Sequence, residues 1–203
     1  FRNLLDQSLR FHRQQHPDFN RDFSNSMKWK QMSTTSLQDE AIQIIRASDG
    51  IYHLHTETVI PYALEEVFAF FAEPENLEAL TPPWLNFEIT TPAPIEMRAG
   101  TLIDYQLKLH SIPVKWKTEI SEWEPPYRFV DRQLKGPYRL WHHEHTFTEC
   151  EAGIQVTDDV RYAVLGGALV NRLFVQKDVA RIFRYRREQL RKFKPASRER
   201  TAN

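Results

Sequence analysis

Between residues 86 and 164 the chain repeats one pattern six times, a stretch alternating apolar and polar residues that is closed by a turn signal. The stretches are 86–91, 101–109, 114–123, 128–134, 138–148 and 154–164. The breaks are Pro92-Ala-Pro94, Ala99-Gly100, the turn before Pro113, Pro125-Pro126, Gly136-Pro137 and Ala152-Gly153. Short alternating runs joined by such turns specify an antiparallel meander. A seventh strand, 51–60, comes earlier, with Tyr52, Leu54, Thr56, Thr58 and Ile60 on its apolar face and His53, His55 and Glu57 opposite. A curved sheet has to cover its apolar face, and three helical segments are at hand. Two are short, 64–72 (Leu64, Val67, Phe68 and Phe71 inward) and 75–80. The third runs from Ala168 to about Phe193, with an apolar stripe of Leu169, Leu173, Ala180, Phe183, Leu190 and Phe193. The class is therefore α+β, a curved antiparallel seven-stranded sheet wrapped around a long C-terminal helix, with two short helices after its first strand.

Residues 1–50 read as an N-terminal extension, 51–194 as the domain and 195–203 as a flexible tail. In the extension, Phe1, Leu4, Leu5, Leu9 and His12 share a helical face ended by Pro17, and 18–36 is a polar connector. Ser36 and Asp39 resemble a capping box opening a helix over 37–46. The Thr81-Pro-Pro-Trp-Leu85 corner places Trp84 either over a core or at a pocket mouth.

Charge and cysteine usage narrow the function classes. The 27 Lys and Arg balance the 27 Asp and Glu, so attraction to nucleic acid is not a whole-chain property. Cys150 is the lone cysteine, which excludes an internal disulfide framework and a cysteine-rich zinc site and makes a reducing, cytoplasmic location the expectation. No apolar run approaches the ~20 residues of a membrane span. Between Arg181 and Arg200, nine Lys or Arg stand against two Glu, which suits a solvated helix end or a weak contact with anionic lipid headgroups. No specific protein partner is expected.

The chemistry concentrates in residues 136–147, where three of the eight histidines fall in four positions. Alternation puts Trp141, His143, His145 and Phe147 on one face, an apolar wall with polar fixing points. Pairing Leu134 with Tyr138 sets Asp131 across from Trp141 and diagonal to His143, with Gln133 on the same face. Pairing Phe147 with Ile154 sets Asp158 beside His143. His143 then lies between two carboxylates that favour its cation while burial opposes it. Three readings stand: polar fixing points for a ligand, a His-Asp acid/base cluster of Asp131, His143 and Asp158, or a structural network. A His-x-His strand with a nearby carboxylate can bind zinc, but spacing fixes no third ligand, and no metal or cofactor is expected.

Several of these residues occur together in a known superfamily. Glu66-Val-Phe68, Pro82-Pro-Trp84, Gly100-Thr101, Trp123-Glu-Pro-Pro126, Arg128-Phe-Val-Asp131, Gln133, Gly136-Pro137, the 141–147 alternation and Asp158-x-Val160-x-Tyr162 are carried in an order of elements that resembles the START/Bet v 1-like superfamily (SRPBCC) over residues 51–194. Leu165 stands where these relatives usually carry a proline. The resemblance implies a helix-grip fold around an apolar cavity that binds a lipid, polyketide or isoprenoid-like molecule, with a cyclase or dehydratase in the same cavity as the alternative. The expected ligand-binding residues are Tyr105, Trp116, Asp131, Gln133, Trp141, His143, His145, Phe147, Val160, Tyr162 and Phe183.

Overall fold

A computed structural model describes residues 42–194; the segments expected earlier in the extension, and the tail, lie outside the described residues. Eight strands make one antiparallel sheet: β1 (Gln43–Arg46), β2 (Tyr52–Ile60), β3 (Glu88–Ile89), β4 (Leu102–Leu109), β5 (Ile112–Glu124), β6 (Arg128–Lys135), β7 (Tyr138–Cys150) and β8 (Gly153–Val164). Their spatial order is β1-β2-β8-β7-β6-β5-β4-β3. Strands β3 to β8 are the meander. The chain crosses from β2 to β3 through α1 (Leu64–Ala72), α2 (Asn76–Ala79) and a 3-10 turn at Pro83–Leu85.

The eighth strand corrects the end of the helix expected over 37–46, whose residues 37–41 lie outside the described residues. Residues 43–46 pair antiparallel with 52–55, and the β-branched pair Ile44-Ile45 suits a pleated edge better than a helix. The intervening turn is closed by Gly50 at φ 85° and by Asp49 Oδ1, which accepts a bond from Ile51 N at 2.9 Å.

Strand β2 buries Tyr52, Leu54, Thr56, Thr58 and Ile60, the face that alternation assigns inward. On the outer face His55 Nδ1 lies 2.6 Å from Asp159 Oδ1, and its other nitrogen 3.4 Å from Glu57. The bonds to Asp159 and Glu57 raise the imidazole to about 10. A raised folded-state pKa favours the protonated native form, so this contribution is complete below the unfolded histidine value near ~6.5 and fades as pH rises through the folded one. The urea midpoint of His55→Gln should therefore fall below that of the parent at pH 6 and meet it above about 10. A gap that persists in alkali would mean the loss is not one of charge.

The terminal helix differs from its expected face. It runs as α3 (Gly167–Val170), a π-helical turn (Asn171–Val175) and α4 (Gln176–Arg191). The π turn holds an extra residue and rotates the helix face. Leu169, Leu173 and Phe174 consequently face solvent, while Asn171 is fully buried. From there Val179, Phe183, Arg186 and Leu190 point inward at spacings of four, three and four residues. Gly166, at φ 85°, lets the chain leave β8 in a left-handed turn, and a Cβ there would run into Val170. Trp84 fastens the preceding corner to α4, edge-on to Tyr185 at 5.7 Å and 4.0 Å beneath the Arg181 guanidinium.

Three apolar clusters fill the concave side. Phe68 and Phe71 of α1 pack with Phe129, Phe147, Val156 and Leu190. Tyr52, Leu54, Val160 and Tyr162 meet Val179 and Phe183. Leu85, Leu107 and Trp116 form the third, flanked by half-buried Phe87, Tyr105, Tyr138, Trp141 and Ile182. No helix among the described residues is long and apolar enough to cross a membrane.

Candidate functional site

Strand register decides which polar groups meet on the concave face. Asp131 pairs with His143, and His145 with Asp158, so each hairpin is displaced by two residues from the expected pairing. The β7–β8 turn is tighter than expected, closing Cys150 against Gly153 with two residues between them. At the other hairpin the Gln133 carboxamide takes the place of ladder bonds: its Nε2 donates to Tyr138 O at 2.7 Å, and its Oε1 accepts from Tyr138 N at 3.2 Å. Gln133, expected to touch ligand, is thus engaged in holding a turn. A slip of two preserves each side chain's face, so His143 still lies between Asp131 and Asp158, now with His145 beside it.

The result is a five-membered charge network. His143 Nε2 is 2.9 Å from Asp158 Oδ1, and His143 Nδ1 is 3.5 Å from Asp131 Oδ2. His145 Nε2 is 2.8 Å from Asp131 Oδ2, and its Nδ1 is 3.1 Å from Asp158 Oδ1. The two imidazole centroids are 3.7 Å apart, and Phe129 stacks on His145 at 4.1 Å. The fifth member comes from α4, where Arg186 grips Asp158 through Nε (to Oδ2) and Nη2 (to Oδ1), both at 3.1 Å; Nη2 also reaches His145 Nδ1 at 3.3 Å.

His143, His145, Asp158 and Arg186 are all buried, and Asp131 keeps 17% of its side chain accessible. Burial works against every ion here, so each charge depends on a neighbour. Burial would raise Asp158, but Arg186 and the imidazoles hold it well below the usual carboxylate range. Asp131 is likewise lowered against its burial by His143, His145 and Arg186. The imidazoles separate: burial and then the adjacent His145 push His143 down, while bonds to Asp131 and Asp158 outweigh burial and raise His145. Protonation is thus favoured on His145 over His143.

Arg186 escaped the sequence reading because it sits in a run of cations assigned to a solvated helix end. Its signal was its spacing, three residues after Phe183 and four before Leu190.

The other expected wall residues fall into the apolar clusters. Phe147 lies in the α1-side core, and Val160, Tyr162 and Phe183 lie in the second cluster. Tyr105, Trp116 and Trp141 form an aromatic end beyond the network. Trp116 stacks on Tyr105 at 5.7 Å and meets Trp141 and Tyr138 edge-on, each at 5.5 Å. Trp141 in turn lies 6.2 Å from His143. Two open hollows lie at the surface, one of about 560 Å³ between β1 and the terminal helix, lined by Ile42, Ile44 and Leu173, and one of about 400 Å³ along residues 91–102. Cys150 is exposed at the end of β7.

A curved antiparallel sheet closed over a long terminal helix, with polar groups on its inner face, defines a helix-grip protein. Residues 60–183 match the family described as polyketide cyclase / dehydrase and lipid transport, and the chain belongs to that family. Solved structures with the same fold include protein Ms6760 from Mycobacterium smegmatis, 16% identical, covering 73% of this chain and 93% of that one with a TM-score of 0.53. The Zhui aromatase/cyclase from Streptomyces sp. R1128 is 13% identical over 69% of this chain and 91% of its own, with a TM-score of 0.55. Ara h 8.0201 is 13% identical over 70% and 95%, with a TM-score of 0.53. At these identities the likeness is one of fold. Among curated proteins none matches the sequence.

Proposed function

We propose that the chain binds a small, mostly apolar molecule, lipid, polyketide or isoprenoid-like, against the aromatic end of the concave face. The observation that carries this reading is Trp116 Nε1, a buried donor set among Tyr105, Tyr138 and Trp141 with no acceptor among the described residues. A buried donor left unmade costs about 1–3 kcal/mol, which a ligand oxygen would offset. The surrounding Phe87, Tyr105, Trp141 and Ile182 are only half-buried, so ligand entry asks these side chains to shift at an open end and leaves the charge network intact. The apolar body would lie on the rings and a polar group would point to His143 and Asp131. The exposed Leu169, Leu173 and Phe174 beside Arg172 and Lys177, with the basic end of α4, are where such a carrier would touch an anionic lipid surface.

The second reading is a cyclase or dehydratase. It draws on the His143–Asp158 bond, which orients an imidazole as a general base requires. Native mass spectrometry of the purified chain should reveal a co-purifying lipid-like molecule. Trp116→Phe should weaken uptake of an apolar fluorescent probe by up to about tenfold, the worth of one hydrogen bond. His143→Phe separates the readings. A carrier keeps or gains probe affinity, whereas an enzyme binds substrate yet loses turnover by ~100-fold or more. Failure of the parent chain to hold any apolar probe would remove both.

A further inference from the structure

We infer that Asp131, His143 and His145 form a binding site for a divalent first-row transition metal ion of the zinc class. One nitrogen from each imidazole and a carboxylate oxygen of Asp131 lie within 4.8 Å of one another. His143 Nδ1 and His145 Nε2 stand 3.5 and 2.8 Å from the same oxygen, Asp131 Oδ2. Two ligands each about 2.0–2.2 Å from a tetrahedral ion are separated by roughly 3.3–3.6 Å, so the His143 nitrogen already stands at the required distance from Asp131 Oδ2 and the His145 nitrogen has to withdraw from it by about half an ångström. Strand pairing supplies the third ligand that sequence spacing left open, because Asp131 is the cross-strand partner of His143.

The surroundings are those of a metal-ligating shell. The far nitrogens of both imidazoles, His143 Nε2 and His145 Nδ1, face one carboxylate oxygen, Asp158 Oδ1, at 2.9 and 3.1 Å. A carboxylate behind a histidine orients the ring and raises its basicity toward an ion on the other side. Arg186 in turn holds Asp158 from behind, and its 3.3 Å approach to His145 is to the same far nitrogen, not to the one facing Asp131. Two nitrogens and one oxygen select zinc or a neighbouring transition ion over calcium or magnesium, which favour oxygen donors. With three protein ligands a fourth position is free, as in catalytic rather than structural sites. Asp131 is the most accessible of the three ligands. The inference stands on this geometry and does not depend on the apolar ligand proposed above.

The test uses the full chain without an affinity tag, stripped with a chelator and titrated with cobalt(II). Visible d–d absorption should saturate at one ion per chain, with metal content checked by mass spectrometry, and zinc should displace the cobalt. Asp131→Asn should abolish the bands, while Asp158→Asn should weaken binding by about 10–100-fold and retain them. Circular dichroism confirms that each variant folds. If Asp131→Asn does not fold, paramagnetic shifts of the His143 and His145 ring protons in the parent chain decide the matter. Absence of stoichiometric binding overturns the inference. So does cobalt binding that survives Asp131→Asn, which would place the ion on surface histidines or Cys150. Probe uptake by the stripped protein is measured separately, so loss of one result leaves the other readable.

Discussion

Arg186→Met is expected to cost about 3–5 kcal/mol in urea unfolding at neutral pH, the usual penalty for removing one partner of a buried ion pair. The size follows from what is left behind. Asp158 is 3% exposed and receives both of the Arg186 bonds at 3.1 Å, so without the guanidinium it keeps only the two imidazoles. The loss of a long alkyl stem is largely made good by methionine, which isolates the charge effect. Adding Asp158→Asn to Arg186→Met should recover a good part of the stability, since no uncompensated anion then remains. A loss under about 1 kcal/mol would mean that the site takes up water and the network is not dry.

Phe147→Ala should cost about 3–5 kcal/mol, through lost transfer energy and the cavity that follows. Phe147 is 2% exposed and meets Phe71 at 4.9 Å and Phe68 at 5.3 Å in edge-to-face contacts. Both contacts come from α1, so the same change frees that helix from the sheet. Phe174→Ala, at an exposed position in the π turn, should stay within about 0.5 kcal/mol. Equal losses at the two positions would show that Phe174 is covered in solution.

Much of this architecture was legible before any coordinates. Alternation assigned the inward faces of β2 and β7, and the helical period assigned Leu64, Val67, Phe68 and Phe71 of α1. What alternation cannot supply is register in steps of two, because such slips leave every face unchanged; the cross-strand neighbours therefore shifted, while His143 kept both carboxylates and His145 joined it between them. The turn-holding bonds of Gln133 were hidden for a related reason, since a glutamine that replaces ladder bonds at a hairpin end has the same phase as one lining a site. Leu169 and Leu173 were misassigned because the helical period was carried straight through a π turn that breaks it. Arg186 was hidden by its neighbours. A buried arginine within a cationic helix shows itself only by the phase it shares with Val179, Phe183 and Leu190. The helix expected over 37–46 gave way to a strand at Gln43–Arg46, where a capping signal was weighed above the β-branched residues that follow it.

The placement of strand lengths has a consequence for behaviour at high concentration. Among the described residues the outermost strands are the shortest, Glu88–Ile89 with two residues and Gln43–Arg46 with four, while the twelve- and thirteen-residue strands β8, β7 and β5 are enclosed. An unpaired strand edge is a template for another chain, and its hazard grows with the number of free backbone groups in register. The longest and most apolar ladders are thus unavailable to a neighbour in the folded state. On the side of β3, Pro92 and Pro94 follow within a few residues and cannot donate to an added strand. Aggregation of this chain should accordingly track its unfolded fraction rather than the concentration of native protein, because folding conceals the strands best suited to growth.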